Sequence, residues 1–115
     1  MVQRNTMNID SLSEMQRRVG QWRQKTFGDV KDESLEKRIL DEMEELEEEL
    51  DKKISLPHLD NGERILKEMG DVLITMLGLC EENNWSLAEV LDYVQSINEK
   101  RTWMKYGDGT GRHVK

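Results

Sequence analysis

Apolar residues return every three or four positions along most of the chain, which is the spacing of one face of an α-helix. The first predicted helix begins at Ser11, where Ser11 to Glu14 fit a capping box, and it ends before Gly28. Its apolar stripe consists of Leu12, Met15, Val19 and Trp22. Trp22 is therefore expected to be a core residue, with stacking on a planar ligand as the alternative.

Two longer helices are predicted next, from about Ser34 to Lys53 and from about Glu63 to Asn83. A polar connector that contains Pro57 separates them. The third helix is apolar over most of its circumference, which is typical of a buried helix.

A second capping box, Ser86 to Glu89, predicts a fourth helix that ends near Trp103. Residues 105–115 are rich in glycine and show no periodicity, so they are expected to form an extended tail, as are residues 1–10. No strand is predicted. The expected fold is an all-α, four-helix bundle in a single domain of residues 1–115.

Composition narrows the function classes. A length of 115 residues allows one domain of ordinary size. Hydrophobic residues make up 36% of the chain and charged residues another 36%, so the core is small for this length. A small core favours self-association.

A net charge of −7 argues against binding to nucleic acid or anionic membranes. The single cysteine, Cys80, excludes an intramolecular disulfide, and no apolar stretch is long enough to span a membrane, so a cytoplasmic location is expected.

The acidic residues of the second and third helices fall into two groups. At about 100° per residue, Glu42 and Glu45 flank the apolar face of the second helix. Glu68 and Asp71 flank that of the third in the same way. By the same angle per residue, three other acidic residues of the second helix point to solvent, namely Asp41, Glu44 and Glu48.

Carboxylates at the edge of a buried face require cations. By the angle of about 100° per residue, Arg64 is the one lysine or arginine that shares their helical face. Hard oxygen ligands suit a divalent ion such as Mg²⁺ bound to a phosphorylated substrate. Simple salt bridges are the alternative, and the residues alone leave both open.

These motifs also resemble a known family. Glu42 to Leu46 followed by Glu68 to Leu73 is similar to the ExxEL and ExxDVL signature of the MazG-like all-α nucleoside triphosphate pyrophosphohydrolases. Asp41 stands where that family usually has glutamate. Short segments elsewhere resemble a phage and bacterial branch described as dATP/dGTP pyrophosphohydrolases, namely Trp22, Thr26 to Gly28, Asn98 to Trp103, Asp108-Gly109 and His113-Val114.

The resemblance implies a MazG fold assembled as a homodimer or tetramer. It implies hydrolysis of a purine deoxynucleotide, dGTP or dATP, between the α- and β-phosphates to give a nucleoside monophosphate and pyrophosphate. Mg²⁺, or Mn²⁺ in its place, would be held by residues that also form the catalytic set, with Glu45 as a candidate base. That set is Glu42, Glu45, Glu68 and Asp71.

Two other functions stay open. One is a broad or pyrimidine-directed housekeeping pyrophosphatase, because base choice depends on pocket contacts that one sequence does not reveal. The other is a non-catalytic acidic helical module that binds a basic partner. That module would leave Glu68 and Asp71 unexplained.

Positive charge is concentrated at the end of the chain. Residues 98–115 carry five cationic and two acidic side chains, a net +3, which leaves −10 on the rest of a chain whose total is −7. Cations at a helix C-terminus explain Lys100 and Arg101, but a triphosphate also needs such partners. For Arg112 and Lys115, contact with the substrate and an uninvolved position in the glycine-rich tail are equally supported. Gly107 to Gly111 could form a flexible lid over the nucleotide. The predicted substrate-binding residues are Trp22, Phe27, Asn98, Lys100, Arg101, Arg112 and His113.

Overall fold

The computed structural model describes residues 9–114. Four helices come first, α1 (Ile9–Phe27), α2 (Asp32–Ser55), α3 (Gly62–Glu82) and α4 (Leu87–Lys100). Two short strands follow, β1 (Trp103–Lys105) and β2 (Gly111–His113). The four predicted helices and the helical class are confirmed. The predicted N-terminal tail and Lys115 lie outside the described residues, except for positions 9 and 10, which are helical.

The first two helices are longer than predicted. α1 includes Asp10 in its first turn, where a carboxylate favours the positive end of the helix dipole. The capping box at Ser11 therefore lies within the helix, and the prediction that the helix begins there is wrong. α2 begins at Asp32 and ends at Ser55, with acidic residues in its first turn and lysines in its last.

The start of α4 agrees with the sequence, and its end does not. The Ser86 hydroxyl accepts a hydrogen bond of 3.2 Å from the backbone N–H of Glu89, which is the predicted cap. Asn84, in the turn before it, has a φ of 57°, in the left-handed region that asparagine tolerates better than most residues. The helix ends at Lys100 because Arg101 is extended, so Trp103 belongs to β1 instead.

The expected extended tail at the C-terminus is a β-hairpin. β1 and β2 pair antiparallel, with Trp103 opposite His113. The connecting turn has Gly107 and Gly109 at a φ of 91°. Strands of three residues are too short to show alternation in the sequence, which is why the prediction of no strand is wrong.

α1 and α2 pack on α3, and α4 packs on α1. Aliphatic residues of several helices form the core, namely Val19, Leu35, Ile65, Val72, Leu77 and Ala88. The buried Asn61, just before α3, donates a hydrogen bond of 2.9 Å to the carbonyl of Glu49. This bond fixes the start of α3 against α2, the two helices that carry the acidic motifs.

A buried glutamine connects α1 to the α3–α4 turn. The Gln16 amide nitrogen donates to the Glu81 carboxylate at 3.0 Å and to the Trp85 carbonyl at 2.6 Å. Its oxygen accepts from the backbone N–H of Leu87 at 3.1 Å. These hydrogen bonds satisfy the polar groups of the buried Gln16 side chain.

Much apolar surface stays uncovered in the single chain. Leu66 and Leu73 of α3 are 50% and 52% exposed, so this helix is only partly buried. Trp22 is 49% exposed, and its predicted place in the core is wrong for the single chain. The Cα radius of gyration is 16.8 Å, against about 13 Å for a compact chain of this length. Among residues 9–114, no helix is both long and apolar enough to cross a membrane.

Candidate active site

Four carboxylates converge between α2 and α3. One carboxylate oxygen from each residue lies within 4.8 Å of those of the other three. The members of this cluster are Glu42, Glu45, Glu68 and Asp71. The spacing of three residues within each helix places both side chains on one face, so each helix supplies a pair.

Burial differs among the four. Glu42 is buried, Glu68 and Asp71 are half-buried, and Glu45 is exposed. The neighbouring Glu44 and Glu48 are exposed, as predicted, whereas Asp41 is half-buried instead of fully exposed.

Two cations lie beside the cluster. The guanidinium of Arg38 is 2.5 Å from Oε1 of Glu42. The ammonium of Lys67 is 2.8 Å from Oδ2 of Asp71. The expectation that only Arg64 shares the face is wrong, because long side chains reach residues four positions away on the same helix. Arg64 instead pairs with Glu49, at 3.0 Å.

These cations do not satisfy the cluster. Oε2 of Glu42 and Oε2 of Glu68 are buried without a hydrogen-bond partner. Burial raises the pKa of Glu68, and the nearby carboxylates of Glu45 and Asp71 raise it further, against the opposing effect of Lys67. Buried carboxylate oxygens left unpaired are costly. Four hard oxygen donors with two unpaired oxygens fit a divalent ion such as Mg²⁺ or Mn²⁺, so the cluster can bind one.

A cavity of about 500 Å³ opens beside the carboxylates. Glu42 and Asp71 form part of its wall, and Trp22 and Phe27 of α1 form another part. The two aromatic rings meet edge to face, with their centroids 5.6 Å apart. The cavity thus places an aromatic surface and two of the four clustered carboxylates around one space.

The predicted substrate-binding residues divide into two groups. Trp22 and Phe27 line the cavity. The C-terminal group does not line it, and its members are exposed apart from the half-buried Asn98. The Asn98 carbonyl accepts a 2.8 Å hydrogen bond from the Trp103 indole, and the rings of Trp103 and His113 meet edge to face. This group consists of Asn98, Lys100, Arg101, Arg112 and His113.

The two arginines of the cavity were not predicted from the sequence. Arg23 of α1 and Arg38 of α2 both line the cavity. Arg38 precedes Glu42 by four residues, which is a local signal for an ion pair along a helix. Arg23 gives no such signal, because only the packing of α1 against α3 brings it to the cavity.

The chain is mostly helical, and two adjacent helices bring together paired carboxylates that could hold a metal ion beside a cavity. Residues 30–103 match the family model of the MazG nucleotide pyrophosphohydrolase domain. The chain belongs to this family.

A phage protein is also similar in sequence. The chain is 27% identical over 104 residues to a dATP/dGTP diphosphohydrolase of Salmonella phage PMBT28. The match covers 90% of this chain and 32% of the relative, so the chain spans about a third of that protein's length.

The fold also resembles that of the cyanophage S-2L MazG-like pyrophosphohydrolase, solved with dGDP and three catalytic Mn²⁺ ions per active site. The similarity has a TM-score of 0.56 at 23% identity and covers 90% of this chain and 93% of that one. The two proteins therefore share a fold.

Proposed function

We propose that the protein is a metal-dependent nucleoside triphosphate pyrophosphohydrolase that cleaves a purine deoxynucleotide, dGTP or dATP, between its α- and β-phosphates. The observation that carries the proposal is the convergence of four carboxylates, two with buried unpaired oxygens, beside an open cavity. Family membership and the substrates named for the phage relative support it.

In this proposal Glu42, Glu45, Glu68 and Asp71 hold Mg²⁺, for which Mn²⁺ can substitute. A bound ion would offset the charge of the triphosphate and lower the pKa of the attacking water. Glu45 is the exposed member of the cluster, so its carboxylate is open to solvent and can accept the proton of that water. The water oxygen bonds to the α-phosphorus, and pyrophosphate leaves with the electron pair of the broken bond.

The base is proposed to stack on Trp22 and Phe27, whose rings line the same cavity. Asn98, Lys100 and Arg101 are proposed substrate contacts, together with Arg112 and His113. They do not line the cavity of their own chain. Arg112 and His113 would reach a nucleotide there by movement of the hairpin, whereas Asn98 and Lys100 lie on α4 and would require movement of that helix. Alternatively, a second copy would supply all five.

We also propose that all 115 residues form one domain and that this domain assembles as a homodimer or tetramer. The exposed apolar residues of α3 and the large radius of gyration support assembly. Contact between copies would remove this surface from water.

The direct test is hydrolysis of a panel of the eight common ribo- and deoxynucleoside triphosphates, with products separated by ion-exchange chromatography. We expect purine deoxynucleotides to give monophosphate and pyrophosphate with Mg²⁺ and nothing in EDTA. Preference for a pyrimidine would support the housekeeping alternative. Stepwise release of single phosphates, or no cleavage with Mg²⁺ or Mn²⁺, would contradict the proposal.

A further inference from the structure

Two arginines from different helices enter the cavity beside the carboxylates. Arg23 comes from α1 and Arg38 from α2. Within the described residues, Arg23 has no carboxylate within the 4.0 Å of an ion pair. Burial lowers the pKa of Arg23, and the positive charge of Arg38 lowers it further, with Glu82 acting in the opposite sense. Two positively charged side chains thus line the same cavity.

Arg23 is held in position from two sides. Its side chain crosses α3 at Gly78, where an added Cβ would lie 2.6 Å from Cδ and 2.9 Å from Nε. Its guanidinium carbon is 5.5 Å from the centroid of the Phe27 ring, a cation–π contact. A side chain already fixed in this way loses little conformational entropy when it binds a ligand.

Two cations in one cavity favour an anion that can contact both. Guanidinium groups bind phosphate oxygens through two parallel hydrogen bonds, and a polyphosphate offers oxygens to more than one arginine. Arg38 contacts Oε1 of Glu42, whereas the unpaired oxygen is Oε2. Arg38 therefore leaves that oxygen of Glu42 available to a metal ion.

We propose that Arg23 and Arg38 bind the phosphate groups of the nucleotide, between the aromatic pair and the carboxylates. The proposal rests on the proposed function and deepens it, because it assigns phosphate binding to α1 and α2 in addition to the C-terminal segment. The cavity would then contact the nucleotide at three points: the base at the aromatic pair, the phosphate oxygens at the arginines, and the α-phosphorus at the carboxylates.

Equilibrium binding separates this role from catalysis. The probe is the α,β-imido analogue of dGTP, which cannot be cleaved at the proposed bond, titrated by calorimetry with Mg²⁺ present. Deoxyguanosine is the phosphate-free counterpart. We expect Arg23→Gln and Arg38→Gln each to weaken binding of the analogue by about tenfold or more, in line with loss of a charge-assisted contact, and to leave the affinity for deoxyguanosine unchanged.

Matched controls lie on the same helices. Arg17→Gln on α1 and Lys37→Gln on α2 each remove one positive charge from an exposed position outside the cavity. They are expected to leave the affinity for the analogue unchanged. Arg23→Lys keeps the charge without the planar fork and should fall between wild type and Arg23→Gln. Circular dichroism checks that each variant is folded, and Arg23→Lys keeps the test decisive if Arg23→Gln does not fold.

The outcomes distinguish the two proposals. Unchanged affinity for the analogue in folded Arg23→Gln and Arg38→Gln would overturn the phosphate role even if wild type hydrolyses nucleotides. An equal loss of affinity for deoxyguanosine would also overturn it. Arginine-dependent binding of the analogue by a protein that cleaves no nucleotide would support the phosphate site and contradict the proposed enzyme.

Discussion

Lys67 and Asp71 form an ion pair across one turn of α3, with Nζ and Oδ2 2.8 Å apart. The same ammonium lies 3.7 Å from Glu68. The hydrogen bond to Asp71 raises the pKa of Lys67, and the charge of Asp71 and then that of Glu68 raise it further. One lysine thus partly neutralises two proposed metal ligands, a role that a bound divalent ion would take over.

Replacing this lysine should make the metal-free protein less stable. We expect Lys67→Gln to lower the Tm in EDTA, because four converging carboxylates lose a neighbouring cation, and to enlarge the rise in Tm on addition of Mg²⁺. Lys67 is exposed, so the effect should be modest and should shrink in high salt. Lys37→Gln, also exposed, is the control. An identical Mg²⁺ response in Lys67→Gln and wild type would contradict the expectation.

The metal ligands are tested by neutral replacements of similar shape. We expect Glu42→Gln, Glu45→Gln, Glu68→Gln and Asp71→Asn each to lose most turnover, about 100-fold or more, with helical circular dichroism retained. Glu48→Gln, on the exposed face of α2, should keep full activity. Full activity in EDTA, or in any two of the four variants, would refute the assignment of the metal site.

Self-association can be measured directly. Leu66, Met69 and Leu73 expose apolar surface along α3, and a second copy would cover it. We expect sedimentation velocity at micromolar concentration to show a dimer or a tetramer. A monomer across that concentration range would refute the prediction.

The C-terminal segment should affect substrate binding more than metal binding. We expect Arg101→Ala, and separately removal of residues 107–115, to raise KM for the triphosphate, because both remove positive charge from a segment of net +3. The truncation also deletes β2. Mg²⁺ affinity should stay nearly the same. Steady-state kinetics equal to wild type would assign Arg101 to the helix terminus alone and reject a closing role for the hairpin.

The helix junction at Gln16 should contribute to stability. Gln16→Ala removes hydrogen bonds to the Trp85 carbonyl and the Leu87 N–H. We expect the free energy of unfolding to fall by about 1–3 kcal/mol, the usual cost of unpaired buried polar groups. Urea denaturation measures the change, and the exposed Gln21→Ala is the control. Equal midpoints for the two variants would contradict the expectation.

The helices could be predicted because their signals are local. Apolar spacing identified all four, and the hydroxyl of Ser86 caps α4 as its sequence indicates. The hairpin could not be predicted in this way, since pairing Met104 with Arg112 depends on residues eight positions apart. Trp22 shows a second limit, because an apolar stripe does not reveal how much of it neighbouring helices will cover.

The site, too, has parts that local spacing predicts and parts that depend on packing between helices. Spacing within α2 and within α3 predicted the four carboxylates, and the structure brings them together. The cavity and the position of Arg23 follow from the close packing of α1 on α3 at Gly78, which no local pattern of the sequence encodes. Local chemistry was therefore predictable, whereas the shape of the space around it was not.

The cavity draws its aromatic residues and Arg23 from one part of the chain, and its carboxylates and Arg38 from another. Trp22, Arg23 and Phe27 lie on α1, before the stretch 30–103 that matches the family, whereas the four carboxylates lie within that stretch. In evolutionary terms the two sets are separable. Substitutions in α1 can alter the wall of the cavity and leave the proposed metal ligands untouched, so the proposed selectivity can diverge while the proposed chemistry is inherited unchanged.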